Sequence, residues 1–188
     1  MAQRLTLVAL IVAMLSACAA PPLRLYTLGA PSENIDRPPL PRNAAVIVVE
    51  RVSLPGYLDT QDILIRSGAT FDRSQTGRWV SRLSVSATEL LTARLAMRRP
   101  DALITENVQA SSDYEIRVHV EALDVTSTGA AVMRADWQIV PRATAKRIVQ
   151  DRIQIALRGS VASDAGVVTL ESELFDRLAD GIDLSTLR

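Results

Sequence analysis

Within Asp113 to Val125 the chain alternates apolar and polar residues strictly over the nine residues from Tyr114 to Ala122. Tyr114, Ile116, Val118, Val120 and Ala122 fall on one side, and Glu115, Arg117, His119 and Glu121 on the other. A period of two predicts a strand with one packed and one wet face. Ala130 to Val140 repeats the pattern, with Met133, Ala135, Trp137 and Ile139 set against Arg134, Asp136 and Gln138. Arg147 to Leu157 is a third such strand. Gly129 marks the hairpin turn before the second strand, and Pro141 to Thr144 the turn before the third.

Upstream the pattern changes. Ala44 to Leu54 contains the continuous β-branched run Val46 to Val49, which predicts a central strand covered on both faces. It must stop at Leu54-Pro55-Gly56, because Pro removes a ladder donor and Gly permits a turn. Asp62 to Ser67 predicts a second strand. A short segment around Thr70-Phe71-Asp72, bracketed by Gly68 and Gly77, pairs as a third. Leu103-Ile104 is a further short strand. Two stretches have helical periodicity. Trp79 to Met97 places Trp79, Leu83, Ala87, Leu90 and Leu91 on one face and ends at Arg98-Arg99-Pro100, with cations near the helix carboxyl end and Pro as breaker. Val167 to Ile182, after a loop from Gly159 to Gly166, repeats Leu170, Leu174, Leu178 and Ile182 every four residues. The expected fold is α+β: a mainly antiparallel sheet with two amphipathic helices packed on one face, in a single domain.

The N-terminal pattern is of another kind. Met1 to Arg4 carries one positive charge, Leu5 to Leu15 is apolar, and Ser16-Ala17 is small. These are the three parts of a secretory signal peptide. The apolar run is about half the roughly 20 residues a membrane-spanning helix needs. Leu15-Ser16-Ala17-Cys18 resembles the bacterial lipobox in all four positions. That resemblance implies cleavage between Ala17 and Cys18, then acylation of the thiol and of the freed amine. Burial contributes about 0.8 kcal/mol per CH₂, so three chains anchor a protein durably where one does not. Ala19 after the cysteine, rather than Asp, implies sorting to the outer membrane, facing the periplasm. Residues 19–43 hold six of the nine prolines, which predicts a semi-rigid tether lifting the domain off the bilayer. Leu25-Tyr26-Thr27-Leu28 within it reads equally as a short edge strand or as coil. The expected division is a signal peptide over 1–17, a lipidated tether over 18–43 and a folded domain over 44–188.

Charge and chemistry narrow the function. Loss of Arg4 with the signal segment leaves 20 basic residues against 21 acidic ones. That balance gives no electrostatic reason to expect nucleic acid. Cys18 is the only cysteine, so no disulfide forms within the chain. His119 is the only histidine and reads as a solvated sheet residue; with no second histidine or free thiol, no metal site of the usual kind is expected. Asp59 and Asp62 read as turn residues bonding local amides, the alternative being an acidic pair. No nucleophile elbow, P-loop or dinucleotide fingerprint occurs, so no catalytic residue and no cofactor are expected.

Val48-Val49-Glu50-Arg51-Val52-Ser53-Leu54-Pro55-Gly56-Tyr57-Leu58-Asp59, followed by Ile63 and Arg66, resembles the ABC-type transport auxiliary lipoproteins, the PqiC-type family associated with MCE lipid-transport systems. Tyr26-Thr27-Leu28 is similar to that family's Tyr-x-Leu, and Arg78-Trp79 with Leu83 to its Arg-Trp motif. Ala135-Asp136-Trp137 is similar to its Trp-bearing strand, and the last helix to its amphipathic end. Thr60 stands where the family often has Arg or another polar residue. The resemblance implies a non-catalytic lipoprotein that works with an MCE-domain protein and an inner-membrane permease, and that forms homo-oligomers. The alternative from the residues is an envelope structural or assembly lipoprotein serving a lipopolysaccharide or peptidoglycan machine. Leu54, Pro55, Tyr57, Leu58 and Asp59 are the candidate partner-contact residues, since aromatic and apolar groups on a turn anchor interfaces. The competing reading folds Tyr57 and Leu58 back into the core.

Overall fold

The computed structural model describes residues 22–29, 39–107, 111–143 and 147–187. In chain order the elements are β1 (Arg24–Tyr26), β2 (Val46–Val49), β3 (Asp62–Ser67), β4 (Thr70–Trp79), α1 (Leu83–Arg98), β5 (Leu103–Thr105), β6 (Tyr114–Val125), β7 (Ala130–Pro141), β8 (Val149–Arg158) and α2 (Asp164–Gly181). The three alternating segments are β6, β7 and β8, and they form an antiparallel meander. Gly129 makes the first turn at φ +80°, where a Cβ would also collide with the Gly159 carbonyl. The inward set along β6 departs from the simple period at one point. Glu121 and Ala122 together oppose Arg134, so the phase shifts there and Leu123 and Val125 become buried, while Ala122 is only half-buried.

The fold is α+β in a single domain, as expected, and its strands form two sheets that are mixed rather than purely antiparallel. The larger has the order β5-β2-β6-β7-β8, the smaller β1-β4-β3. β2 runs parallel to both β5 and β6. Its Ile47, Val48 and Val49 are all buried, which is what an apolar run without alternation dictates. Both helices pack on one face of the large sheet. α1 buries Leu83, Ala87, Leu90, Leu91 and Leu95, and α2 buries Val167, Leu170, Leu174, Phe175 and Leu178. The opposite face carries ion pairs, among them Arg117 with Glu50 (3.0 Å) and with Glu115 (2.8 Å). Arg94 holds Asp176 through two hydrogen bonds of 2.6 and 3.0 Å, joining the helices. Arg98 donates to the carbonyls of Ala179 and Ile182, and Arg99 to those of Leu184 and Leu187. The two arginines at the end of α1 thus satisfy the orphan carbonyls of α2 and the tail after it, a partner more distant than their own helix end.

Two boundaries differ from those expected. α1 begins at Leu83, because Trp79 is the last residue of β4 and Arg82 has the extended ψ of 144°. Trp79 and Leu83 are both buried, which produces helical spacing across what is a strand end and a helix start. The folded domain also begins earlier than residue 44. β1 pairs in parallel with β4, Leu28 is buried in the core, and the Gly29 amide donates to Ser172 Oγ at 3.0 Å. Residues 22–29 of the expected tether are therefore docked on the domain, and residues 30–38 lie outside the described residues. Cys18, Ala17 and the signal peptide lie outside the described residues.

Candidate functional site

The turn that ends the first long apolar run lies against the small sheet. Leu58 and Asp59 amides donate to the Pro55 carbonyl at 2.9 and 3.3 Å, which closes a tight turn over residues 55–59. Pro55 supplies the accepting carbonyl, so Gly56 and Tyr57 are the central residues of the turn. The closed turn sends successive side chains in opposite directions. Leu58 is buried and joins the core. Leu54 is half-buried and packs against that core from its rim. Tyr57 points outward and is 44% exposed. The two readings of this pair divide between its members: Leu58 fills the core, and Tyr57 stands on the surface.

Asp59 performs a structural task that the sequence did not disclose. Its Oδ1 accepts from the backbone amide of Ser84 at 3.2 Å, and its Oδ2 lies 3.4 Å from Arg82 Nη1. Arg82, at the N-cap position, offers no side-chain oxygen, so the start of α1 is capped from 25 residues upstream. Asp62 takes a different partner, Arg78 Nε at 3.0 Å, with Arg73 at 3.9 Å. The two aspartates are thus committed to separate cations, and neither bonds only local amides. His119 is exposed, with Nδ1 3.2 Å from Ser53 Oγ.

Tyr57 is held by a stack. Its ring lies 5.1 Å from that of Phe71 at a tilt of 31°, and the Arg66 guanidinium sits 4.2 Å from the Phe71 centroid. Arg66 Nε pairs in turn with Asp124 Oδ1 of β6 at 2.7 Å. The Asp124 carboxylate raises the Arg66 pKa above its ordinary value, and Tyr57 adds to the effect. β3 and β4 supply the geometry: Arg66 faces Phe71 across the hairpin, one pair from its tip. Arg66 also meets Thr126 in an isolated bridge, so the stack stands where the two sheets join. An offset aromatic pair contributes about 0.5–1.5 kcal/mol beyond its area, and an exposed cation–π contact about 0.5–1. Tyr57 is consequently a surface aromatic with little freedom left to lose on binding.

Beneath the turn, Glu171 of α2 is 3% exposed. It lines a cavity of about 10 Å³ with Leu58, Leu64, Phe71, Trp79, Leu83, Leu123 and Val125, and with Asp62 at its edge. That space holds one water at most. Burial pushes the carboxyl up to a pKa of about 8, so it is neutral at pH 7. The sequence carries a signal for this residue. Glu171 lies four residues from both Val167 and Phe175, in the middle of the buried stripe. Phe71 and Asp124 had no such signal, because only the hairpin and the junction of the sheets bring them to Tyr57. Among the described residues, no group of three or more His, Cys, Asp or Glu is placed to hold a metal, and no helix is long and apolar enough to cross a membrane.

Comparison with known proteins gives two kinds of likeness. A family model described as "ABC-type transport auxiliary lipoprotein component" matches residues 26–183. Among solved structures, one described as an uncharacterized protein superposes with a TM-score of 0.67 at 17% identity, covering 85% of this chain and 95% of its own. Protein XCC0632 from Xanthomonas campestris, assigned to the DUF330 family, gives 0.57 at 15% identity, covering 86% and 89%. At such identities the likeness is one of fold. The search of curated proteins finds no match.

Proposed function

The chain belongs to the family of ABC-type transport auxiliary lipoprotein components, and from that premise we propose that it is a non-catalytic member of an MCE-type intermembrane phospholipid transport system. The auxiliary role follows from the family. The lipid-transport assignment is supported by the Leu54-Pro55-x-Tyr57-Leu58-Asp59 turn, where this sequence most resembles the PqiC-type members. In this reading acylated Cys18 anchors the protein in the outer membrane, facing the periplasm. An MCE-domain protein and an inner-membrane permease are its partners, and copies of the chain associate with one another.

The observation that carries the contact surface is the stack at the sheet junction. Tyr57 is exposed, yet it is fixed by Phe71 and Arg66 and backed by a turn whose other apolar residue is in the core. Pre-organised aromatic side chains are the kind that anchor interfaces, because ordering costs them little on binding. Leu54 and Pro55 flank Tyr57 and complete the surface. Asp59 and Leu58 hold its base. The chemistry asked of this surface is recognition, and no reacting group is assigned.

The test is an affinity pull-down of the mature lipoprotein from detergent-solubilised envelopes, read by mass spectrometry. Recovery of an MCE-domain protein is the expected result. Recovery of lipopolysaccharide or peptidoglycan assembly proteins, with no MCE-domain protein, would replace this reading with that of an envelope assembly lipoprotein.

A further inference from the structure

We propose that the outer face of the small sheet, at its β1 edge, rests on the membrane surface and carries residues that enter the lipid interface. The inference deepens the reading of Cys18 as the acylated anchor and rests on it. Three large apolar residues are exposed here: Leu23 (57%), Leu25 (63%) and Val80 (51%). Their common side follows from the register. Leu25 lies opposite Arg78, and Tyr26 opposite Trp79, in the parallel pairing of β1 with β4. Trp79 is buried and Tyr26 packs on the core, so those two face inward. Alternation then turns Leu23, Leu25, Arg78 and Val80 to the other side. The Val80 amide donates to the Tyr26 carbonyl at 2.9 Å, which keeps Val80 beside the strand. β1 is an edge strand, so nothing in the sheet lies beyond it.

The occupant of this face follows from the length of chain before it. Cys18 is five residues from Leu23. Five residues span about 18 Å at full extension. A domain of this size has a radius of gyration of roughly 15 Å, so it is on the order of 40 Å across. A linker shorter than the domain's width cannot turn a distant face to the bilayer. It presents the face on which it ends. Leu23 and Leu25 are the first side chains to arrive there, while Arg24 between them in sequence alternates to the other side of the strand. Exposed apolar side chains beside an acyl anchor add to membrane binding in proportion to the apolar area they bury at the interface. A second acyl-independent contact also limits rocking of the domain about a short tether, and so fixes the direction in which the rest of the surface points.

The test uses the full acylated lipoprotein. Acylation consumes the only native thiol, so a cysteine introduced by Leu25→Cys, Val80→Cys or, as the control on the outer face of β8, Gln154→Cys is the unique labelling site. Each variant carries an environment-sensitive fluorophore and is reconstituted in phosphatidylethanolamine–phosphatidylglycerol vesicles, with or without nitroxide-labelled acyl chains. The expected result is quenching by the lipid-borne nitroxide of about twofold at Leu25→Cys and Val80→Cys and far less at Gln154→Cys, with aqueous iodide giving the reverse order. Equal lipid quenching at all three positions, in protein that floats with the vesicles, overturns the proposal and leaves the anchor intact. An N-terminal peptide without acyl mass, in protein that does not float, overturns the anchor reading and this inference with it. The two labelled positions lie on different segments, one in β1 and one just after β4, so loss of folding in one variant leaves the other to decide.

Discussion

The two sheets of this molecule are built by different rules. In the large sheet, β6, β7 and β8 pair through ten or more residues each, and their inward residues are set by local alternation. In the small sheet, β1 contributes three residues, β3 six, and the β3–β4 register breaks between Asp62 and Leu64. The long sheet is self-specifying, because a one-residue slip would expose its whole apolar set. The small sheet is specified by what it touches: Trp79 in the core, Arg66 on Asp124, Asp59 on the start of α1. The lesson concerns where function can sit. The regular sheet supplies a rigid support, and the irregular one, held by a few long-range contacts, presents the exposed aromatic and the chain's entry point.

The largest expected effects ask whether the two sheets share one core. Trp137→Ala in the large sheet and Trp79→Ala in the small one remove buried indoles, and each is expected to lower stability by about 3–5 kcal/mol. Thermal unfolding of both variants should stay a single cooperative transition. A separate early transition in Trp79→Ala alone would mean that the small sheet folds as an appendage. Leu58→Ala, which empties a core site under the turn, is expected to cost about 2–4 kcal/mol in denaturant titration. A cost below about 0.5 kcal/mol would show that the turn is not seated in the core.

Glu171 gives the comparison a pH axis. Its carboxyl has a folded pKa of about 8 against an ordinary value of 4.5. Between those values the unfolded chain releases its proton and the folded chain keeps it, so stability falls as pH rises through that window. The loss is on the order of 3 kcal/mol after allowance for relaxation around the charge. Glu171→Gln should therefore gain stability relative to the native chain from pH 5 to pH 8 by that amount. Parallel stability curves for the two proteins would contradict it. Asp59→Ala should cost about 1 kcal/mol, the worth of a helix cap. Hydrogen exchange should place the loss at the first turn of α1, since the Ser84 amide loses its acceptor; uniform loosening would deny the cap.

How much of this was legible in the sequence follows the same division. Met133, Ala135, Trp137 and Ile139 are buried where alternation places them, because an antiparallel meander imposes its period on the residues. Val46 to Val49 predicts a covered strand correctly, yet an apolar run carries no sign of its neighbours' direction, so the parallel pairing was not readable. The β6 bulge was hidden because Ala122 fits either phase. Trp79 misled the helix boundary, since a buried residue four before Leu83 has the same spacing in any conformation. In the turn, Pro55 and Gly56 marked the geometry, and Leu58 and Tyr57 were named without their division. The partners that fix Tyr57 arrive from β3, β4 and β6 through tertiary pairing, which no local pattern records.

The smallest expected change in stability belongs to the residue on which the functional account turns. Tyr57→Ala should lower stability by no more than about 1 kcal/mol, because the ring is exposed and loses chiefly its stack on Phe71. The decisive measurement is the amount of MCE-domain protein recovered with Tyr57→Ala relative to the native lipoprotein, at equal expression and with the melting temperature recorded beside it. The account predicts at least a tenfold drop in recovery, about 1.4 kcal/mol in affinity, at a nearly unchanged melting temperature. Native-level recovery, or a loss that only follows a collapse in melting temperature, would contradict the assignment of this turn as the partner surface.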